Sequence, residues 1–91
     1  MIVARRYRVT GRVQGVGFRF FTERCALREG LHGWVRNTRD GAVEAEAEGD
    51  AEAVGRFEAA LRAGPPGARV EDLEITEVAP LLRATGFMVR G

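Results

Sequence analysis

Lysine is absent from this chain: all 14 basic residues are arginine, set against 13 acidic residues for a net charge of +1. There is one cysteine and one histidine. Cys25 therefore has no intramolecular partner for a disulfide, and with only His32 to join it there is no cluster of soft ligands for a structural zinc site. Nowhere does the sequence hold the roughly 18 consecutive apolar residues of a membrane-spanning helix. The opening Met1-Ile2-Val3-Ala4-Arg5-Arg6 lacks the basic segment and long apolar run of a secretory leader, so a soluble, cytoplasmic protein is expected. Arginine without lysine, beside abundant alanine and glycine, is the mark of a GC-rich genome. A functional arginine must accordingly be argued from its position. Basic residues gather before residue 40 and glutamates after it, which suggests a weakly electropositive face in the N-terminal half.

What is present is ordinary globular composition, 45% hydrophobic and 30% charged over 91 residues. One domain spanning residues 1–91 is expected, and a domain of this size buries roughly two-thirds of its unfolded surface. Tyr7, Val9, Gly11 and Val13 alternate with Arg6, Arg8, Thr10 and Arg12, the pattern of a half-buried strand over residues 5–13. After Gln14-Gly15-Val16-Gly17 the period changes. Phe18, Phe21, Thr22, Cys25 and Ala26 take the spacing of a helix face, and Gly30 is its natural stop.

Residues 33–38 predict a second strand through Trp34 and Val35, and the Asp40-Gly41 pair predicts a tight hairpin into a third strand over residues 42–49. There Val43, Ala45 and Ala47 alternate with Glu44, Glu46 and Glu48, so one face should be buried and the other acidic and solvated. Asp50 suits the N-cap of a second helix with Val54, Phe57 and Leu61 as its buried stripe, closed by Gly64-Pro65-Pro66-Gly67. A strand through Leu73 and Ile75 follows over residues 70–78, then a short one over residues 87–90, with residues 79–85 unassigned. The order strand, helix, strand, strand, helix, strand is the ferredoxin-like split βαβ plan: an α+β fold with an antiparallel sheet and two helices on one face.

The segment Gln14 to Arg19 runs from a strand into a helix. Gly15 and Gly17 let backbone N–H groups converge there, the helix N-terminus adds partial positive charge, and Arg19 in the first turn offers a planar fork of donors to a phosphate. An ordinary strand-to-helix turn with a solvated arginine would look the same. The Gly-Lys-Ser/Thr of a nucleotide-binding P-loop is missing, and Gly15-Val16-Gly17 does not complete a dinucleotide fingerprint.

Two strings decide more. Gly11-Arg12-Val13-Gln14-Gly15-Val16-Gly17-Phe18-Arg19 resembles the first signature of acylphosphatases, and Gly33-Trp34-Val35-Arg36-Asn37-Thr38-Arg39-Asp40-Gly41 resembles the second. The Gly64 to Val70 loop and the Phe87-Met88-Val89-Arg90 ending are also similar to bacterial members, so the resemblance spans nearly the whole chain. It implies the same fold and a metal-free, cofactor-free hydrolase that splits small acyl phosphates into a carboxylate and inorganic phosphate. Carried over by position, it puts the phosphate-binding arginine at Arg19, the cradle of backbone amides at Gln14, Gly15, Val16, Gly17, Phe18 and Arg19, and the water-positioning asparagine at Asn37. Glu29 stands where relatives often carry an apolar residue, which is expected to loosen packing away from the site.

The other chemistry-bearing residues have plainer readings. Cys25 is expected in the core, His32 in a turn or on the surface, and Glu44, Glu46 and Glu48 on a wet sheet face. Asn37, without the resemblance, reads as a strand-end or turn residue. Two alternatives remain. One is a domain of a larger carbamoyl-phosphate-using protein of hydrogenase maturation, against which the initial Met and the absence of following zinc-finger cysteines favour a free-standing protein. The other is a non-catalytic ferredoxin-like module binding RNA or another anion. The aromatic string of RNA-binding sheets is absent, and the acidic third strand opposes a phosphate backbone, so no nucleic-acid partner is expected. No membrane partner is expected either, and a monomer is.

Overall fold

The computed structural model describes residues 1–82 and 86–91; of the unassigned segment 79–85, residues 83–85 lie outside the described part. The described elements are β1 (Ile2–Arg12), α1 (Phe18–Arg28), β2 (His32–Asn37), β3 (Val43–Asp50), α2 (Ala51–Ala63), β4 (Arg69–Val78) and β5 (Phe87–Val89). They make one sheet in the order β4-β1-β3-β2-β5.

The first four strands pair antiparallel, as the alternating patterns require, whereas β5 pairs parallel with β2. The expected antiparallel sheet is present in β1 to β4, β5 adds a parallel edge to it, and topology explains why. β4 ends with Val78 beside Ala4, at the level where Glu48 and His32 also stand. The chain crosses the sheet there, with Leu81 N–H and Leu82 N–H donating to the two Glu48 carboxylate oxygens at 2.7 and 2.6 Å. Gly33 N–H then donates to Gly86 O at 3.0 Å. A strand that starts at this end must run opposite to β4, hence parallel with β2.

Both helices pack against each other and on the same side of the sheet, where Tyr7, Val9, Val35, Val43, Ala45 and Ala47 are buried. Small side chains on β3 leave room for the large ones: Phe57 of α2 lies 5.7 Å from the Tyr7 ring and 6.1 Å from that of Phe87, in tilted pairs. α1 contributes Phe18, Thr22, Cys25 and Ala26, and the buried Thr22 hydroxyl donates to Phe18 O one turn back. Asp50 caps α2 as the sequence predicts, accepting from Glu52 N–H at 3.2 Å. Leu73 is buried in β4, but Ile75 is 39% exposed, because an edge strand has sheet neighbours on one side only.

Two sequence expectations give way. Glu29 does not loosen α1: its carboxylate is 12% exposed and accepts from Arg56 Nε at 2.8 Å, joining the end of α1 to α2. Glu44, Glu46 and Glu48 are half-buried rather than freely solvated. Side chains at opposed strand positions meet, so Glu44 pairs with Arg36 at 2.6 Å, Glu46 with Arg6 at 2.8 Å, and Glu48 with the crossing segment. Trp34 lies on this same open face, with the guanidinium carbons of Arg6, Arg36 and Arg90 at 5.8, 5.7 and 4.8 Å from its ring centroid.

Gly33 stands opposite Ala47 in the β2–β3 ladder. A Cβ placed there would lie 1.8 Å from Glu46 O, and φ is +149°. Only glycine fits this contact.

Candidate active site

The turn between β1 and α1 has two left-handed residues, Gly15 at φ +76° and Gly17 at φ +75°. Left-handed backbone is inexpensive only for glycine, and it bends the chain so that successive N–H groups face a common concavity. Gly17 is the N-cap of α1, and neither a capping side chain nor an acidic residue occupies the first turn. The first helical bond is Phe21 N–H to Gly17 O at 3.0 Å. The N–H groups of Phe18, Arg19 and Phe20 stand ahead of that ladder, at the positive end of the helix dipole.

A cavity of about 130 Å³ opens on this turn, lined by Val13, Gly15, Gly17, Phe18, Arg19, Phe20 and Asn37. Arg19 and Asn37, 18 positions apart in the chain, are thus brought to one cavity; Gln14 and Val16 contribute no lining surface. Val16 packs against the core instead. Arg19 is held from outside the loop, since its Nη1 donates to Arg90 O at 2.7 Å while Arg90 N–H donates to Val35 O at 2.8 Å. The residue just after the short last strand therefore braces the guanidinium. This carbonyl contact is not visible in the sequence pattern, because a backbone acceptor carries no residue identity.

Asn37 ends β2. Beyond it, Thr38 N–H donates to Ala42 O at 2.9 Å and Gly41 N–H to Thr38 O at 3.3 Å, closing a three-residue loop over Arg39, Asp40 and Gly41. Asp40 accepts from the Thr38 hydroxyl and from Arg8. Those two partners, Thr38 foremost, hold its carboxyl down at about 2.

A larger cleft of about 260 Å³ is lined by His32, Gly33, Trp34, Glu46, Glu48, Leu81, Met88 and Arg90. Size favours it, but chemistry favours the smaller cavity, which joins a guanidinium to a helix N-terminus without a carboxylate in its lining. Cys25 is buried, and burial pushes its thiol up, away from nucleophilic thiolate. His32 starts β2, and its Nδ1 accepts from Gly86 N–H at 3.4 Å. Tyr7 donates to Glu58 at 2.9 Å; burial first and the Glu58 carboxylate second raise its phenol far above the usual range. Among the described residues no group of three His, Cys, Asp or Glu side chains converges to hold a metal, and no helix is long and apolar enough to cross a membrane.

The acylphosphatase family model matches residues 5–89. The chain belongs to the acylphosphatase family. It is 46% identical over 87 residues to an acylphosphatase of Koribacter versatilis, covering 96% of this chain and 79% of the relative. The crystal structure of an acylphosphatase from Bacillus subtilis superposes with a TM-score of 0.93 at 41% identity, covering 100% of both chains. A full-length HypF structure is similar over 12% of its own length, with a TM-score of 0.87, 28% identity and 100% of this chain covered. The fold of this chain is thus that of the Bacillus subtilis acylphosphatase over its whole length. The family expectation and the periodicity reading arrive at the same α+β fold.

Proposed function

We propose that this chain, as a single domain over residues 1–91, hydrolyses small acyl phosphates through Arg19 and Asn37, with no metal or cofactor required. The observation that carries the reading is that Arg19, Asn37 and the Gly15–Gly17 turn line one cavity at the start of α1. The phosphoryl group sits in the turn, its equatorial oxygens accepting from backbone N–H groups of the lining residues Gly15, Gly17, Phe18 and Arg19 and from the Arg19 guanidinium. Asn37 holds a water in line behind phosphorus. Its amide both donates and accepts, which orients the water but does not deprotonate it.

The water oxygen forms a bond to phosphorus as the bond from phosphorus to the acyl oxygen breaks. The acyl oxygen leaves with the electron pair as a carboxylate, and a water proton ends on a phosphate oxygen, so a dianionic acyl phosphate and water become a carboxylate and dihydrogen phosphate. A carboxylate is a good leaving group and phosphoryl transfer passes a loose transition state, so positioning and charge stabilisation suffice without a strong base. This agrees with a cavity that holds no histidine, cysteine or carboxylate. The protein acts in this reading as a cytoplasmic monomer.

The test is hydrolysis of benzoyl phosphate in the presence of a chelator, with inorganic phosphate as a competitive inhibitor. Turnover unaffected by the chelator supports the reading. Folded protein without turnover rejects it in favour of anion binding alone.

A further inference from the structure

Gln14 belongs to the glycine turn in sequence, yet its side chain serves another segment. Nε2 donates to Thr38 O at 2.7 Å and to Ala42 O at 2.9 Å, the two carbonyls at the base of the β2–β3 hairpin. A carbonyl only accepts, so both partners demand the NH2 end of the amide and its orientation has no alternative. The hairpin base is already closed on itself: Thr38 N–H donates to Ala42 O and Ala42 N–H to Thr38 Oγ1 at 3.0 Å. What Gln14 adds is a half-buried tie between that base and the turn, across 24 residues of sequence. Asn37 immediately precedes Thr38 on one strand of the hairpin, and it faces the cavity that the Gln14 turn encloses.

We infer that Gln14 is a positioning residue for the hydrolysis: its side-chain amide, by gripping Thr38 and Ala42, sets where Asn37 stands relative to the phosphate cradle. The inference rests on the function proposed above and extends it to a residue outside the cavity lining. The cradle amides and Arg19 bind phosphate without this tie. The water held by Asn37 must instead be in line with a bond in the cradle, which requires two separately folded segments to be registered. Misplacement by about 1 Å at such a geometry costs up to about 100-fold in rate.

Gln14→Met keeps the length and bulk of the side chain and removes both donors without adding charge. Benzoyl phosphate kcat is expected to fall at least tenfold, while inhibition by inorganic phosphate stays within twofold of the unaltered chain. In an Asn37→Ala background, Gln14→Met should change the residual rate less than threefold, because the residue it positions is gone. A role confined to stability would move neither the kcat-against-phosphate split nor this dependence on Asn37. Unchanged kcat in folded Gln14→Met, an equal loss in the Asn37→Ala background, or a parallel loss of phosphate affinity would each overturn the inference.

If Gln14→Met does not fold, Gln14→Ala, which leaves no strained or unpaired apolar end, carries the same comparisons. The Asn37 side-chain amide resonances give a readout independent of turnover. They should shift in the Gln14 variant, and resonances that stay fixed overturn the inference. Should the unaltered chain show no turnover, the proposed function fails, and these resonances still decide whether Gln14 sets the Asn37 position.

Discussion

Arg19→Gln removes the only cationic side chain among the described residues that line the cavity. A guanidinium has five N–H donors, and one of Arg19's is spent on Arg90 O. A bidentate grip on a phosphoryl group takes two of the others. Hydrogen bonds to charged partners are worth about 1.5–3 kcal/mol each, so two of them set an upper range of about 3–6 kcal/mol. The backbone amides remain and the shorter glutamine restores part of the contact. A net loss of about 3–4 kcal/mol follows, in line with the roughly 100-fold to 1000-fold cost of deleting one well-placed charge-stabilising donor. With benzoyl phosphate as substrate, kcat/KM should fall by that factor, and the inhibition constant of inorganic phosphate should rise by about 100-fold. Melting should change little, because what is lost is an exposed bond to Arg90 O and the contact of the guanidinium with the Phe20 ring, 5.9 Å from its centroid. A natively folded variant that keeps the phosphate inhibition of the unaltered chain would refute Arg19 as the clamp.

Asn37→Ala should lower kcat by about 100-fold or more while phosphate inhibition stays near its original value, since a contact made to the water in the transition state contributes nothing to ground-state phosphate binding; steady-state kinetics on protein shown native by circular dichroism checks both. Gly33→Ala should destabilise the fold by more than about 3 kcal/mol in urea denaturation, because the new Cβ meets Glu46 O at 1.8 Å and neither strand can retreat without breaking its ladder. Asp40 has a folded pKa of about 2 against an ordinary 3.8, so the unfolded chain takes up a proton first on acidification. The stability this gives is complete above about pH 4 and is lost as pH falls toward 2; the melting temperature of Asp40→Asn should accordingly depend less on pH across that window than the parent's.

Much of this architecture is legible in the residues because the patterns are local. Tyr7 and Val9 announce β1 by alternation, Phe18 to Ala26 announce α1 by helical spacing, and Asp50 marks the start of α2. What is not legible depends on partners far along the chain. β5 has three residues, too few to carry a period, and its parallel direction follows only from where the preceding segment crosses the sheet. Ile75 looks like a core residue by alternation and is exposed because β4 is an edge. The site divides the same way. Gly15 and Gly17 declare a left-handed turn by their identity alone. Pattern gives no role to Asn37, which reads as a strand end until the resemblance is added. The hold of Gln14 on two carbonyls, and of Arg90 O on Arg19, passes through backbone acceptors that any residue supplies.

The sheet order also sets how this chain must fold. β1 is made first and lies in the interior of the sheet, but its neighbours are β3 and β4, and its Arg5 bonds Glu77 across 72 residues. Loop-closure entropy must be spent before these pairings return anything, and domains that mix helices with such distant strand pairings fold more slowly than helical bundles. During synthesis β1 therefore emerges with both edges unsatisfied and waits for β4, the strand that seals its second edge.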